Sequence, residues 1–172
     1  VNITIADDYL AEDYFNSIVD EFSVSTTPYY IADGISYEKD GHLQFTHTIC
    51  ANGEITSPDY FDLLKLYFNT LQVDQFVNCK VNLIPKTKTL IEHGWHIDVT
   101  EIPEDQKKYS KTSVLYLNST NGYTIFKSGI KVPSKANRLV MFPNHYEHAS
   151  TTNTCDALYR LSLITNFLTK TK

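Results

Sequence analysis

The sequence predicts a mainly β fold with flanking α-helices, and three observations point to it. Apolar residues recur about every four positions before residue 75 and every two positions after it, the periods of a helix and a half-buried strand. Twelve Tyr and nine Phe against only six Gly and six Pro favour pleated, half-buried surfaces. Turn formers at Pro85, Asn118 to Gly122, Ser128-Gly129, Pro133 and Pro143-Asn144 cut the second part into short, regularly spaced segments, the pattern of an all-β barrel or sandwich.

Residues 7–22 read as a helix. Leu10, Tyr14, Ile18 and Phe22 form its stripe, widened by Phe15 and Val19, and Asp7, Asp8, Glu12 and Asp13 crowd its N-terminal half, where the helix dipole favours negative charge. A second helix is expected from Ser57-Pro58, a good N-cap followed by a residue suited to the first helical position. Its stripe is Phe61, Leu64, Phe68 and Leu71. Strands are expected at Phe76 to Ile84, Leu90 to Val99, Thr112 to Asn118, Tyr123 to Phe126, Arg138 to Phe142 and Tyr159 to Phe167. With no repeat or linker, the chain is expected to be a single domain over 1–172, with helical support at about 1–74 and the β core at about 75–168.

Fifteen basic and twenty acidic residues give a formal charge of −5, which argues against an affinity built on neutralising phosphates. The nearest basic cluster, Lys107, Lys108 and Lys111, suits a solvated loop. Three widely spaced cysteines, Cys50, Cys79 and Cys155, fit neither a disulfide framework nor a zinc knuckle and are expected to be reduced, buried thiols. No apolar run approaches the ~20 residues of a membrane helix, and the N-terminus lacks a basic-then-apolar signal segment. A cytoplasmic location is the expectation.

The chemistry begins with histidines that fall in pairs. His96-Ile97-Asp98 has the form H-x-D on an expected strand. Side chains at i and i+2 share a face, with Cα atoms about 6.6 Å apart, so an imidazole and a carboxylate reach one ion while Ile97 packs on the opposite face. Two ligands bind weakly. A later His would complete a 2-His-1-carboxylate facial set with positions open for substrate and oxygen; His145 and His148 both qualify on spacing. The rival His145-Tyr146-Glu147 fares worse as a first pair, because its only downstream histidine, His148, is too close. On the C-terminal strand, Arg160 and Ser162 share one face of an otherwise core-like segment. A buried guanidinium is costly without an anion, and its planar fork suits a carboxylate. Either one of the twenty acidic residues neutralises it, or it holds a dicarboxylate whose other end chelates the metal.

H-x-D, a distal His and R-x-S twelve residues on (160 − 148 = 12) resemble the 2-oxoglutarate/iron(II) oxygenase superfamily, most closely its prolyl 4-hydroxylase-like branch. Tyr116-Leu117-Asn118 matches the branch's Y-L-N, Gly122 to Phe126 its G-x-T-x-F strand, and Arg138 to Pro143 its R-L-V-x-F-P approach to the distal His. The resemblance covers about residues 75–168. It implies a double-stranded β-helix (jelly-roll) core, His96, Asp98 and His148 as metal ligands, and Tyr116, Arg160 and Ser162 as the anchor of the distal carboxylate. Implied with them are iron(II), 2-oxoglutarate as cosubstrate, dioxygen, and ascorbate as an accessory. The implied reaction is hydroxylation of a prolyl or other amino-acid-type substrate with release of succinate and CO2. One departure is His93, where prolyl hydroxylases commonly carry Tyr.

The resemblance also makes the polar segment 99–110 a candidate substrate lid. Nucleic-acid demethylases of the superfamily carry a second Arg six residues after the first, and position 166 is Asn, which disfavours that branch. The partner expected is a small molecule or peptide, with no membrane and no nucleic acid. The competing readings are a cupin-like metal-binding protein, which gives Arg160 no reason to be buried, and an inert jelly-roll binding domain, in which drift would not be expected to spare both the triad and its anchor.

Overall fold

A computed structural model of the chain describes residues 2–170. In chain order the elements are β1 (Thr4–Ala6), α1 (Glu12–Glu21), β2 (Tyr30–Asp33), β3 (Leu43–Ala51), β4 (Glu54–Ile55), α2 (Pro58–Leu63), α3 (Lys65–Leu71), β5 (Val73–Pro85), β6 (Ser110–Tyr116), β7 (Tyr123–Phe126), β8 (Lys131–Pro133), β9 (Arg138–Pro143), β10 (His148–Ser150) and β11 (Tyr159–Thr169). The large sheet has eight antiparallel strands in the order β1-β9-β6-β11-β5-β3-β2, with β4 paired to β3; the small sheet is β10-β7-β8. Val114, Val140 and Ile164 of the large sheet meet Phe126 and Val132 of the small one. The result is a jelly-roll core with helices on its outer face.

Strand parity sorts the side chains. On β5, Cys79, Val81 and Leu83 turn outward, and so do Leu161, Leu163 and Phe167 on β11. They form the main core with Phe15, Ile18 and Phe22 of the α1 segment and Leu64, Tyr67, Phe68 and Leu71 of the α3 segment. The even positions of the same strands face the small sheet: Lys80, Asn82 and Ile84 on β5, and Arg160, Ser162 and Ile164 on β11, all line one cavity. The helices therefore bury one face of the sheet and leave the other for the site.

Four expectations need correction. The first helix begins at Glu12, not residue 7: Asp8 adopts φ 49°, and Asn137 ties down Tyr9 and Leu10 by accepting both backbone N–H groups. The second helix is two, divided at Leu64. The first 74 residues are not merely helical support, since β2 and β3 extend the large sheet and β1 caps its other edge. Finally, Leu90 to Val99 is not a strand. Its backbone follows residues 148–153 through scattered bonds, with bridges only at Glu92–Thr151 and His96–His148, too irregular for a ladder. Cys50 and Cys79 are buried and free, while Cys155 is only half-buried. Among the described residues no helix is long and apolar enough to cross a membrane.

Candidate metal and cosubstrate site

Without a regular strand, the H-x-D segment is held by its neighbours. His96 and His148 exchange backbone hydrogen bonds, N–H to O at 3.0 and 3.1 Å. The carbonyl of Gly94 accepts from the Ser36 hydroxyl at 2.7 Å and lies 3.1 Å from Nδ1 of His96. Nδ1 of His148 lies 3.0 Å from the Tyr146 carbonyl. In each ring the Nδ1–H is thus engaged by main chain, which leaves the Nε2 lone pair for the centre of the cluster.

The Nε2 atoms stand 3.4 Å (His96) and 3.6 Å (His148) from Oδ1 of Asp98. One potential ligand atom from each residue falls within 4.8 Å of the others. Oδ2 of Asp98 accepts from Nδ2 of Asn166 at 3.1 Å, and the same amide donates to Thr112 Oγ1 at 3.0 Å. Burial by itself would raise the Asp98 carboxyl, but the adjoining His148 and His96 hold it well below the usual carboxylate range. Burial disfavours the charged His148 ring, yet Asp98 reverses this and leaves its pKa raised. Two borderline imidazoles and an ionised carboxylate on one side of a cavity suit a divalent transition metal. Ile97, expected to pack on the opposite face, instead borders two cavities, and His145 sits on the loop, away from the cluster.

Behind the cluster lies a cavity of about 180 Å³, lined by residues that include His96, Asp98, His148, Thr124, Arg160 and Ser162. Arg160 is 2% exposed and forms no ion pair among the described residues. Its one hydrogen bond there runs from Nη2 to Thr124 Oγ1 at 3.1 Å, and its buried Nε has no partner. The Tyr116 hydroxyl donates to the same Oγ1 at 2.8 Å, and the guanidinium lies 5.2 Å from the Tyr116 ring centroid. Since Thr124 Oγ1 accepts twice, its own O–H is free to donate into the cavity. Burial lowers the Arg160 pKa from its ordinary value, although a guanidinium stays charged at physiological pH. Gly122 makes room for it: a Cβ there would lie 3.1 Å from Arg160 Cδ and 2.7 Å from the Thr152 carbonyl oxygen. Ser162 is buried at the row between Tyr116 and Asn82.

Five of the six residues singled out from sequence line this cavity, whereas Tyr116 is not on its wall and reaches it only through Thr124. Sequence reasoning missed Thr124, which joins Tyr116 to Arg160; Asn166, which orients Asp98; and Lys80 and Asn82, which line the cavity. Asn166 shares the parity of Arg160 on β11, and Lys80 and Asn82 pair with that face from β5, a relation visible only once the strands are in register. His93, also buried, places Nδ1 2.9 Å from Ser150 Oγ, with the His42 ring 5.0 Å away. Burial, helped by His42 and Arg160, lowers its pKa to about 4.

No protein-family model matches the sequence, and no curated protein matches it either. Solved structures do match. A Pseudomonas putida prolyl-4-hydroxylase aligns with a TM-score of 0.60 at 19% identity over 98% of this chain and 93% of that one. A Trichoplax adhaerens prolyl hydroxylase in complex with a hypoxia-inducible-factor peptide fragment aligns with a TM-score of 0.62 at 14% identity over 96% and 83%. The epimerase SnoN, in complex with Fe3+, alpha-ketoglutarate and nogalamycin RO, gives a TM-score of 0.66 at 10% identity over 97% and 78%. The fold is that of the 2-oxoglutarate/iron oxygenases, prolyl hydroxylases among them.

Proposed function

We propose that this chain is a 2-oxoglutarate- and iron(II)-dependent dioxygenase that hydroxylates a prolyl or other amino-acid-type substrate, with release of succinate and CO2. The observation that carries this reading is Arg160. A guanidinium 2% exposed, with no acid beside it among the described residues and an unpartnered Nε, costs several kcal/mol unless a ligand supplies the anion. A diacid bound across the cavity supplies one carboxylate to Arg160 and the other end to a metal at His96, Asp98 and His148. Cupin-like and inert readings leave that cost unexplained.

In this reading each side chain has a defined task. His96, Asp98 and His148 are the three protein ligands and leave the remaining positions open. Arg160 and the Thr124 hydroxyl grip the distal carboxylate, Tyr116 fixes Thr124, and Ser162 closes the cavity wall. Asn166 keeps Oδ1 of Asp98 turned toward the imidazoles by engaging Oδ2. Iron with bound cosubstrate supplies the oxidising chemistry; the protein orients the cosubstrate and excludes water. The structural neighbours include one bound to a peptide fragment and one bound to nogalamycin RO, so the fold accommodates both kinds of partner.

The test is anaerobic addition of iron(II) and 2-oxoglutarate. A visible metal-to-ligand charge-transfer band is expected for the native protein and is lost in Arg160→Ala at the same cosubstrate concentration. A band that survives Arg160→Ala, or none in the native protein, overturns the reading.

A further inference from the structure

Lys80 has no role in the site as described above, yet its position is unusual. It lies at cavity-facing parity on β5, opposite Thr48 of β3 and Ile164 of β11. It is half-buried and forms no ion pair or side-chain hydrogen bond among the described residues. Asp98 borders the same space but is already engaged: its Oδ1 faces both imidazoles and its Oδ2 accepts from Asn166. Among the described residues this ammonium lacks a partner.

The surrounding space indicates what could supply one. Lys80 lines the cosubstrate cavity and also a second cavity of about 260 Å³, formed with Thr48, Cys50, Ala51, Asn78, Asp98 and Asn166. A third, of about 380 Å³, continues from Asp98 and Asn78 along Gln75 and Asn52 to Thr100, Glu101 and Gln106 of the candidate lid. Asp98 borders all three, so space runs outward from the metal ligands on the side away from Arg160. Arg160 stands opposite Ile84, four residues or about 13 Å along β5 from Lys80. Among the residues lining the second and third cavities Lys80 is the only cation. The other polar groups are neutral amides and hydroxyls, except Asp98 and Glu101.

Resting on the oxygenase reading, we propose that Lys80 selects the acceptor: the substrate carries a carboxylate that pairs with this ammonium while the carbon to be oxidised lies beside Asp98. Free or N-acylated amino acids with an intact α-carboxylate fit that description, and their C-terminal amides do not. Asn78 and Asn166 are placed to hydrogen-bond the rest of a small polar acceptor.

The test is calorimetric binding to zinc-loaded protein in the presence of 2-oxoglutarate, so that no turnover is needed. The probes are L-amino acids, their N-acetyl derivatives and the matching amides. At least one acid should bind about 10- to 100-fold more tightly than its amide, the scale of one charge-assisted hydrogen bond. Lys80→Gln should close that gap and Lys80→Glu should reject the acid, with 2-oxoglutarate affinity unchanged in both. Acids and amides binding alike, or no acid binding at all, overturns the proposal. So does weakened 2-oxoglutarate binding with the acid preference intact, which would give Lys80 to the cosubstrate. If the native protein binds no 2-oxoglutarate, the oxygenase reading fails first, and that result is separately visible in the same titration.

Discussion

The two faces of β11 differ in what their burial achieves. Leu161, Leu163 and Phe167 pack against the helix layer, and each fully buried side chain of this kind contributes roughly 1.5–3 kcal/mol to stability. Arg160, Ser162 and Asn166 are equally buried, at 2%, 3% and 4% exposure, but they are polar, and one is a charge without a partner acid. The same eleven-residue strand therefore stabilises the fold on one side and works against it on the other. Such an arrangement persists where the costly face serves a ligand. It separates substitutions that should damage stability from those that should damage binding.

Arg160→Met removes an uncompensated charge while keeping volume, so the melting temperature should hold or rise, by the equivalent of about 1 kcal/mol or more. Binding of 2-oxoglutarate, followed by calorimetry, should disappear. A clear loss of stability would mean that the guanidinium has a structural partner. Next comes Leu163→Ala on the opposite face. Leu163 is fully buried, and a loss of about 2–5 kcal/mol in denaturant unfolding is expected, with cosubstrate affinity retained by the folded fraction.

A pH series sharpens the contrast. His93 is kept neutral by burial and by the neighbouring His42 and Arg160, with its pKa depressed from 6.5 to about 4. A depressed histidine binds fewer protons folded than unfolded in that window, so its contribution is fully present above pH 6.5 and is lost as pH falls toward 4. Stability should fall by up to about 3 kcal/mol over that range, and His93→Gln should flatten the profile. The smallest effect is expected at Asn166. Asn166→Ala frees Oδ2 of Asp98 and should weaken metal binding about 10- to 100-fold, measured by chelator competition, with less loss of stability than Leu163→Ala.

Much of the β core was legible because strands buried on one face write their period into the sequence. β7, β9 and β11 fall within a few residues of their expected bounds. β3 went unread although Leu43, Phe45 and Ile49 alternate with Gln44, Thr46 and Thr48, which share the cavity-side parity; His47 interrupts the apolar row. Leu90 to Val99 failed the other way, with strand-like composition but backbone bonds too scattered for a ladder. Within the site, His96, Asp98 and Arg160 stood out because spacing and buried charge are visible in one dimension, whereas spacing left His145 and His148 equal and only the family resemblance favoured His148. Thr124 and Asn166 did not stand out, because an ordinary threonine and asparagine acquire meaning only from what lies across the sheet. In the sequence Asn166 is distinguished only by not being arginine.

The reciprocal backbone bonds between His96 and His148 carry a mechanical consequence. Both imidazoles hang from a single main-chain seam, so peptide geometry sets the spacing from which the two rings depart, and side-chain packing sets the angle at which each one leaves it. Phe126 and Phe142 lie against the His148 ring, so repacking either would turn that ring relative to His96 while the seam stays closed.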